Sequence, residues 1–252
     1  MEGARYVSED RLPATQIAMQ DVLGISRAVI VSGGAYGPNT RHLEHVLERH
    51  GDRFLGVALS PNDATVGHLR RLDRLGVRAV RFVSKGHSPK FLPISTDTVA
   101  RIADLGWHVQ YYPYRTELAE MWKALLDLPT DIVIDHFGHV PAAGRTEQPA
   151  FQALLRLLDS GRVWVKLSGP MRLTDEEPLY PSVTPLARAL VAHRPDRLLW
   201  ASDWPHVNMN GRTMPNDGDL LDLLVEWAPD EAARAAILAE NPARLFRLSA
   251  VA

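Results

Sequence analysis

Residues Leu198–Asn208 read LLWASDWPHVN. The stretch opens as an apolar run of strand type and closes on Ser202, Asp203, Trp204, Pro205 and His206. Proline has no N–H to give to a sheet ladder, so a strand entering this stretch ends before Pro205. Asp203 then stands at the strand's C-terminal end. Aspartate is common where loops start, because its side chain bonds nearby backbone N–H groups. Whether this one works or merely turns the chain depends on what other strands bring to it.

Working outward, similar apolar runs recur upstream. Val163–Leu167 leads into Ser168-Gly169-Pro170, Ile132–Asp135 into His136-Phe137-Gly138-His139, and Trp107–Tyr112 is closed by Pro113. Val77–Val83, Phe54–Leu59 and Ala28–Val31 read the same way, the last ending in Ser32-Gly33-Gly34. Between them the spacing predicts helices at Ala14–Leu23, at Thr40–His50 with Asn39 as N-cap, and from Pro61-Asn62 to about Leu75. Further helices are predicted at Ser95–Leu105, Glu117–Leu128, Pro149–Leu158 and Val183–Ala192. Two more, Asp219–Trp227 and Asp230–Ala239, close the chain before Glu240–Phe246, which reads ENPARLF.

Strands that alternate with helices and are apolar on both faces mean βαβ units and a parallel sheet. An open doubly wound sheet would carry a glycine-rich phosphate turn after its first strand, and no such pattern occurs. Polar groups follow many of these strands, which favours a barrel. The expectation is therefore an α/β protein, a (β/α)8 TIM barrel lacking its first strand, as a single domain over residues 1–252. Unpaired edges on the flanking strands would favour association of copies into a homo-oligomer.

With 252 residues, 46% hydrophobic and 23% charged, the chain is ordinary for a globular protein. A formal net charge of −2 supplies no basic field, so nucleic acid is not an expected partner. The cysteine count is 0, which excludes disulfides and thiolate chemistry and is compatible with the cytoplasm. No apolar run has the length of a membrane span, and MEGARYVSEDRLPA at the N-terminus lacks the apolar core of a signal peptide.

The strand ends gather Gly34 and Tyr36, Arg81, Gln110 and Tyr112, His136, Lys166 with Arg172, and Asp203. In a parallel barrel all C-terminal ends open on one face, so these groups are expected to converge. A carboxylate such as Asp203 serves as general base toward water, and an imidazole such as His136 polarises a carbonyl. Arg81 and Arg172 offer planar forks that match carboxylates, and Tyr112 a hydroxyl for an oxyanion. Lys166 is expected to pair structurally, and His87, His108, His139 and His206 to be solvated or hydrogen-bonded. No H-x-H or H-E-x-x-H spacing occurs. A divalent ion would have to be held by His136 and Asp203 alone, too few ligands for a tight site, so no metal or other cofactor is expected.

IDHFGH at Ile134–His139, VKLSGPMRLT at Val165–Thr174, ASDWPHVN at Ala201–Asn208 and the terminal ENPARLF resemble the amidohydrolase-related (β/α)8 hydrolases. Within that group the likeness is greatest to 2-pyrone-4,6-dicarboxylate lactonases and neighbouring sugar-acid lactonases. The resemblance implies that Asp203 is the general base, that His136 acts on the lactone carbonyl, and that Arg172 grips a substrate carboxylate. It further implies substrate contacts from Arg81, Tyr112, Tyr6, His139 and Asn208. The family opens on a strand carrying D-x-H-x-H, whereas this chain starts in what would be the following loop. His139 stands where the pyrone lactonases tend to have Arg, and Gly34 near where they have Ser.

The function expected is hydrolysis of a small lactone bearing a carboxylate, in the cytoplasm. Two alternatives come with it. One is a lactone isomerase or decarboxylase that uses one divalent metal, Zn or Mn. The other is an inactive truncated barrel that binds a small acid.

Overall fold

Glycine, proline and serine bound the apolar runs that make the strands, and the strands fall where those boundaries put them. A computed structural model describes residues 11–59, 63–87 and 93–248; Tyr6 lies outside the described residues. The chain divides into two compact units, Met1–Gln110 with Val207–Arg212, and Tyr111–His206 with Thr213–Ala252.

In the first unit α1 (Pro13–Leu23), β1 (Ala28–Val31), α2 (Arg41–His50), β2 (Phe54–Ala58), α3 (Val66–Arg74), β3 (Val77–Val83) and α4 (Thr96–Ala103) follow one another. β1, β2 and β3 run parallel, with Ala28 beside Phe54 and Val57 beside Ala79. β4 (His108–Tyr112) carries the division between the units. The second unit continues with α5 (Leu118–Leu126), β5 (Ile132–Ile134), α6 (Pro149–Asp159), β6 (Val163–Leu167), α7 (Thr184–His193) and β7 (Leu198–Trp200). β5, β6 and β7 are again parallel, Val133 beside Trp164 and Lys166 beside Leu199. Sheet order follows chain order from β1 to β7, as a helical crossover after every strand requires. Seven strands are found among the described residues, the number the sequence predicts.

Burial follows the same logic. Every residue of β6 is buried, Lys166 included, as is every residue of β5. All four residues of β1, the first strand in the order, are only half-buried.

Most helix ends lie within one or two residues of the sequence reading, and three differences have a visible physical cause or a larger extent. α3 begins at Val66, not at Pro61-Asn62, because the Thr65 hydroxyl accepts the His68 N–H at 3.2 Å and so caps the helix there. Pro61 and Asn62 themselves lie outside the described residues. α2 begins at Arg41, and Asn39 closes an Asx turn, its Oδ1 accepting Arg41 N–H at 3.0 Å. The final run continues past Ala239. After α8 (Asp217–Trp227) come α9 (Glu231–Ala235), a π-helical turn at Ala236–Glu240, and α10 (Asn241–Phe246).

That last turn explains ENPARLF. Asn241 is buried, and its Nδ2 donates to Pro195 O and to Leu198 O, both at 2.8 Å. Two carbonyls at the entry to β7 are thereby satisfied, which a buried strand end requires. The motif fastens the strand that carries Asp203.

Candidate active site

The site residues that converge lie in the second unit, on the turns after β5, β6 and β7. After β5 the chain passes Asp135 into His136–His139, where four successive residues have positive φ: 48°, 53°, 69° and 54°. For each of the three non-glycine residues this conformation costs about 1–2 kcal/mol, so packing must hold it. Phe137 is fully buried against Trp227 of α8, ring centroids 5.4 Å apart. Gly138 has no room for a side chain, since a Cβ there would lie 2.6 Å from Leu118 Cδ1. With Phe137 pinned inward, His136 is turned toward the strand ends.

After β6 come Ser168 and Gly169. Ser168 is buried, and its Oγ lies 2.9 Å from His136 Nδ1. Gly169 has φ +60°, and a Cβ on it would meet His136 Nδ1 at 2.9 Å, Asp203 Oδ2 at 3.2 Å and Arg172 Cδ at 3.3 Å. The bare backbone at this position is what lets the three side chains close on one point. After β7, Asp203 sits at φ +66°, a conformation that short polar side chains tolerate. The Ser202 hydroxyl accepts Trp204 N–H at 3.1 Å, and Asp203 O accepts His206 N–H at 2.9 Å, closing a tight turn around the carboxylate.

Arg172 Nε donates to Asp203 Oδ2 at 2.6 Å. His136 Nε2 faces the other oxygen, Oδ1, at 3.7 Å, beyond hydrogen-bond range but within strong Coulomb reach. Burial alone would push the Asp203 carboxyl up. The Arg172 guanidinium, His136, the Arg172 hydrogen bond and His206 outweigh it and hold the carboxyl below the usual aspartate range. Asp203 is therefore an anion at neutral pH, with one oxygen engaged and the other toward the imidazole.

Aromatic rings flank this core. Tyr112 meets His136 edge-on at 4.9 Å and His139 at 5.4 Å, and Tyr114 lies 5.8 Å from His139. The Arg115 backbone N–H points to His139 Nδ1 at 3.0 Å. A backbone amide only donates, so Nδ1 is the acceptor in this contact.

Of the residues singled out in the sequence, Asp203, His136 and Arg172 are brought together, with Tyr112 joined to them through the His136 ring and His139 through Tyr112. Lys166 pairs with buried Asp135, Nζ to Oδ1 at 3.2 Å, as a structural lysine does. His206 is buried and hydrogen-bonded to Asp217 at 3.1 Å. Arg81 and Asn208 belong to the first unit. There Arg81 Nη1 donates to Ser32 O at 3.5 Å, and Asn208 is exposed at φ +64°. Tyr36 stacks on His42 at 3.8 Å beside Ser32. The sequence reading missed Ser168, Gly169 and Asp217. The first two sit inside the quoted KLSG, where a small pair directly after a buried strand was the available signal.

Metal holding fits this arrangement poorly. Among the described residues no group of three or more His, Asp or Glu side chains is placed to hold an ion. Asp203 Oδ2 is already committed to Arg172, and a divalent ion wants more donors than His136 and one carboxylate oxygen.

Parallel strands joined by helices, with the polar groups on the turns behind them, define the α/β-barrel class, here with seven strands described. The comparisons agree. An amidohydrolase family model matches residues 1–248. A 4-sulfomuconolactone hydrolase of Hydrogenophaga intermedia is 34% identical, covering 97% of this chain and 82% of its own. A 2-pyrone-4,6-dicarboxylate hydrolase of Comamonas testosteroni is 33% identical, covering 96% and 83%. A solved structure, a probable 2-pyrone-4,6-dicarboxylic acid hydrolase from Acinetobacter baumannii with citric acid bound, superposes with a TM-score of 0.86. It is 25% identical and covers 98% of this chain and 94% of its own. The chain belongs to the amidohydrolase family and is an enzyme of hydrolase type. Among the described residues no helix is long and apolar enough to cross a membrane.

Proposed function

We propose that the enzyme hydrolyses a small lactone bearing at least one anionic group, in the cytoplasm and without a metal ion. The observation that carries the reading is the Asp203 carboxylate, held as an anion by Arg172 while His136 faces its second oxygen. Asp203 takes a proton from water as the water oxygen bonds to the lactone carbonyl carbon. His136 donates from Nε2 to the carbonyl oxygen, where negative charge develops. When the tetrahedral intermediate collapses, the ring C–O bond breaks and the proton passes from Asp203 to the departing ring oxygen. The products are a new carboxylic acid and a hydroxyl on one opened chain.

Arg172 orients the substrate's acid group and stabilises charge beside the base. The Tyr112 and His139 rings form a wall of the same site. Support for the substrate class comes from the relatives named above, whose own names are those of lactone hydrolases with anionic substituents.

The test is acid release from a panel of carboxylated lactones by the wild type and by Asp203→Asn, with the protein treated with chelator beforehand. Loss of the base should lower kcat by about 10²–10⁴-fold, with chelation leaving wild-type turnover unchanged. Turnover by Asp203→Asn near that of the wild type would overturn the role of Asp203. Activity abolished by the chelator and restored by an added divalent ion would overturn the metal-free route.

A further inference from the structure

Beyond the acid, imidazole and guanidinium lies a second acid–imidazole pair that this mechanism leaves unused. His206 is 2% exposed, and its Nε2 lies 3.1 Å from Asp217 Oδ1. Its Nδ1 is buried and has no hydrogen-bond partner among the described residues. Its backbone N–H donates to Asp203 O at 2.9 Å, closing the turn that presents the base. Asp217 is the first residue of the eleven-residue helix α8, just after Asn216, whose side chain accepts the N–H groups of Gly218 and Asp219. The positive end of a helix favours a carboxylate at this position, and the Asp217 side chain is only 15% exposed.

We infer that His206 and Asp217 are positioning residues for hydrolysis: Asp217, anchored at the start of α8, grips the imidazole of His206, and His206 holds the turn that aims Asp203. The inference rests on the reading of Asp203 as the base. Among the described residues Asp217 is the one hydrogen-bond partner of this imidazole, so losing Asp217 loosens the side chain and the turn behind it. The base then stays present but loses its angle to water and carbonyl, which affects the chemical step more than binding. A displacement of about 1 Å in such a group is enough to slow turnover by about a hundredfold.

The experiment compares wild type, Asp217→Ala, Asp217→Asn and His206→Gln by steady-state kinetics, thermal melting and a carbon-NMR titration of the Asp203 carboxyl. Asp217→Ala should lower kcat by about ten- to a hundredfold while KM stays within about threefold. Asp217→Asn keeps a side-chain oxygen for Nε2–H and should recover most of that loss. His206→Gln should raise the pH at which Asp203 titrates, because His206 is one of the groups that hold that carboxyl low. Earlier melting of Asp217→Ala with unchanged kcat would mark a purely structural pair and overturn the inference. If the wild type opens no lactone, the proposed reaction fails, and the titration alone decides. An Asp203 carboxyl that titrates identically in wild type and His206→Gln then overturns the positioning role. Should Asp217→Ala fail to fold, Asp217→Asn and His206→Gln carry the same comparison.

Discussion

Arg172 Nε donates to Asp203 Oδ2 at 2.6 Å, and neither side chain is more than 16% exposed. The pair sets the charge state of the proposed base. Its folded carboxyl titrates below the unfolded value of about 3.9. Its contribution to stability is therefore complete above that value and is lost as pH falls through the lower folded one. Replacing the guanidinium by an uncharged chain, Arg172→Met, should raise the Asp203 titration and carry the acidic limb of kcat/KM upward with it. A pH–rate profile for the two proteins measures this, and an unmoved acidic limb refutes it.

Gly169→Ala tests the convergence of the three side chains. The new methyl must adopt φ +60° and stand 2.9 Å from His136 Nδ1. The backbone term alone costs about 1–2 kcal/mol, or about 2–8 °C in Tm for a chain of this size. Turnover should fall by more than that destabilisation explains, because the methyl pushes His136 away from Asp203. Calorimetry beside kinetics separates the two effects, and a variant that melts early yet works normally would show the crowding to be harmless.

Ser168→Ala removes the hydroxyl that meets His136 Nδ1 at 2.9 Å. Loss of a hydrogen bond at a buried group costs about 1–3 kcal/mol. A serine hydroxyl either donates or accepts, so it serves His136 in whichever protonation state the reaction needs. The alanine variant should bind substrate with little change and turn it over more slowly. An increase in KM at constant kcat would place Ser168 in binding instead.

Lys166 and Asp135 form a buried ion pair, and removing one partner strands the other. Lys166→Met should destabilise the protein by about 3–5 kcal/mol, read as a lower urea midpoint. Adding Asp135→Asn to it should recover part of that loss. Additive losses in the double variant would mean the two groups do not interact.

Much of the fold is legible in the sequence because its signals are local. Val163–Leu167 is apolar but for Lys166 and is followed by serine and glycine, and the strand occupies those residues and no others. Asp203 is legible because Pro205 keeps any strand from running past it, and β7 stops at Trp200, three residues short of the aspartate. Long-range pairings leave no such trace. Ser168 meets a histidine 32 residues away, and Asp217 meets one across an eleven-residue separation. Neither spacing has a period to read. The π-helical turn at Ala236–Glu240 is equally silent, since alanine, isoleucine and leucine suit an ordinary helix as well. The start of α3 escaped for another reason: Pro61 is a plausible helix opener, but the nearer hydroxyl of Thr65 does the capping.

Asn241 reaches back 46 and 43 residues to the carbonyls of Pro195 and Leu198. A ribosome making this protein completes β7 and its aspartate long before it reaches that asparagine. Until then two carbonyls at the root of the strand bond to water, and the strand has no fastening on that side. A helix synthesised after the site residues is thus the one that fastens the root of the strand leading to Asp203. A nascent chain stalled short of residue 241 holds every side chain of the proposed machinery and still lacks the clasp at the root of β7.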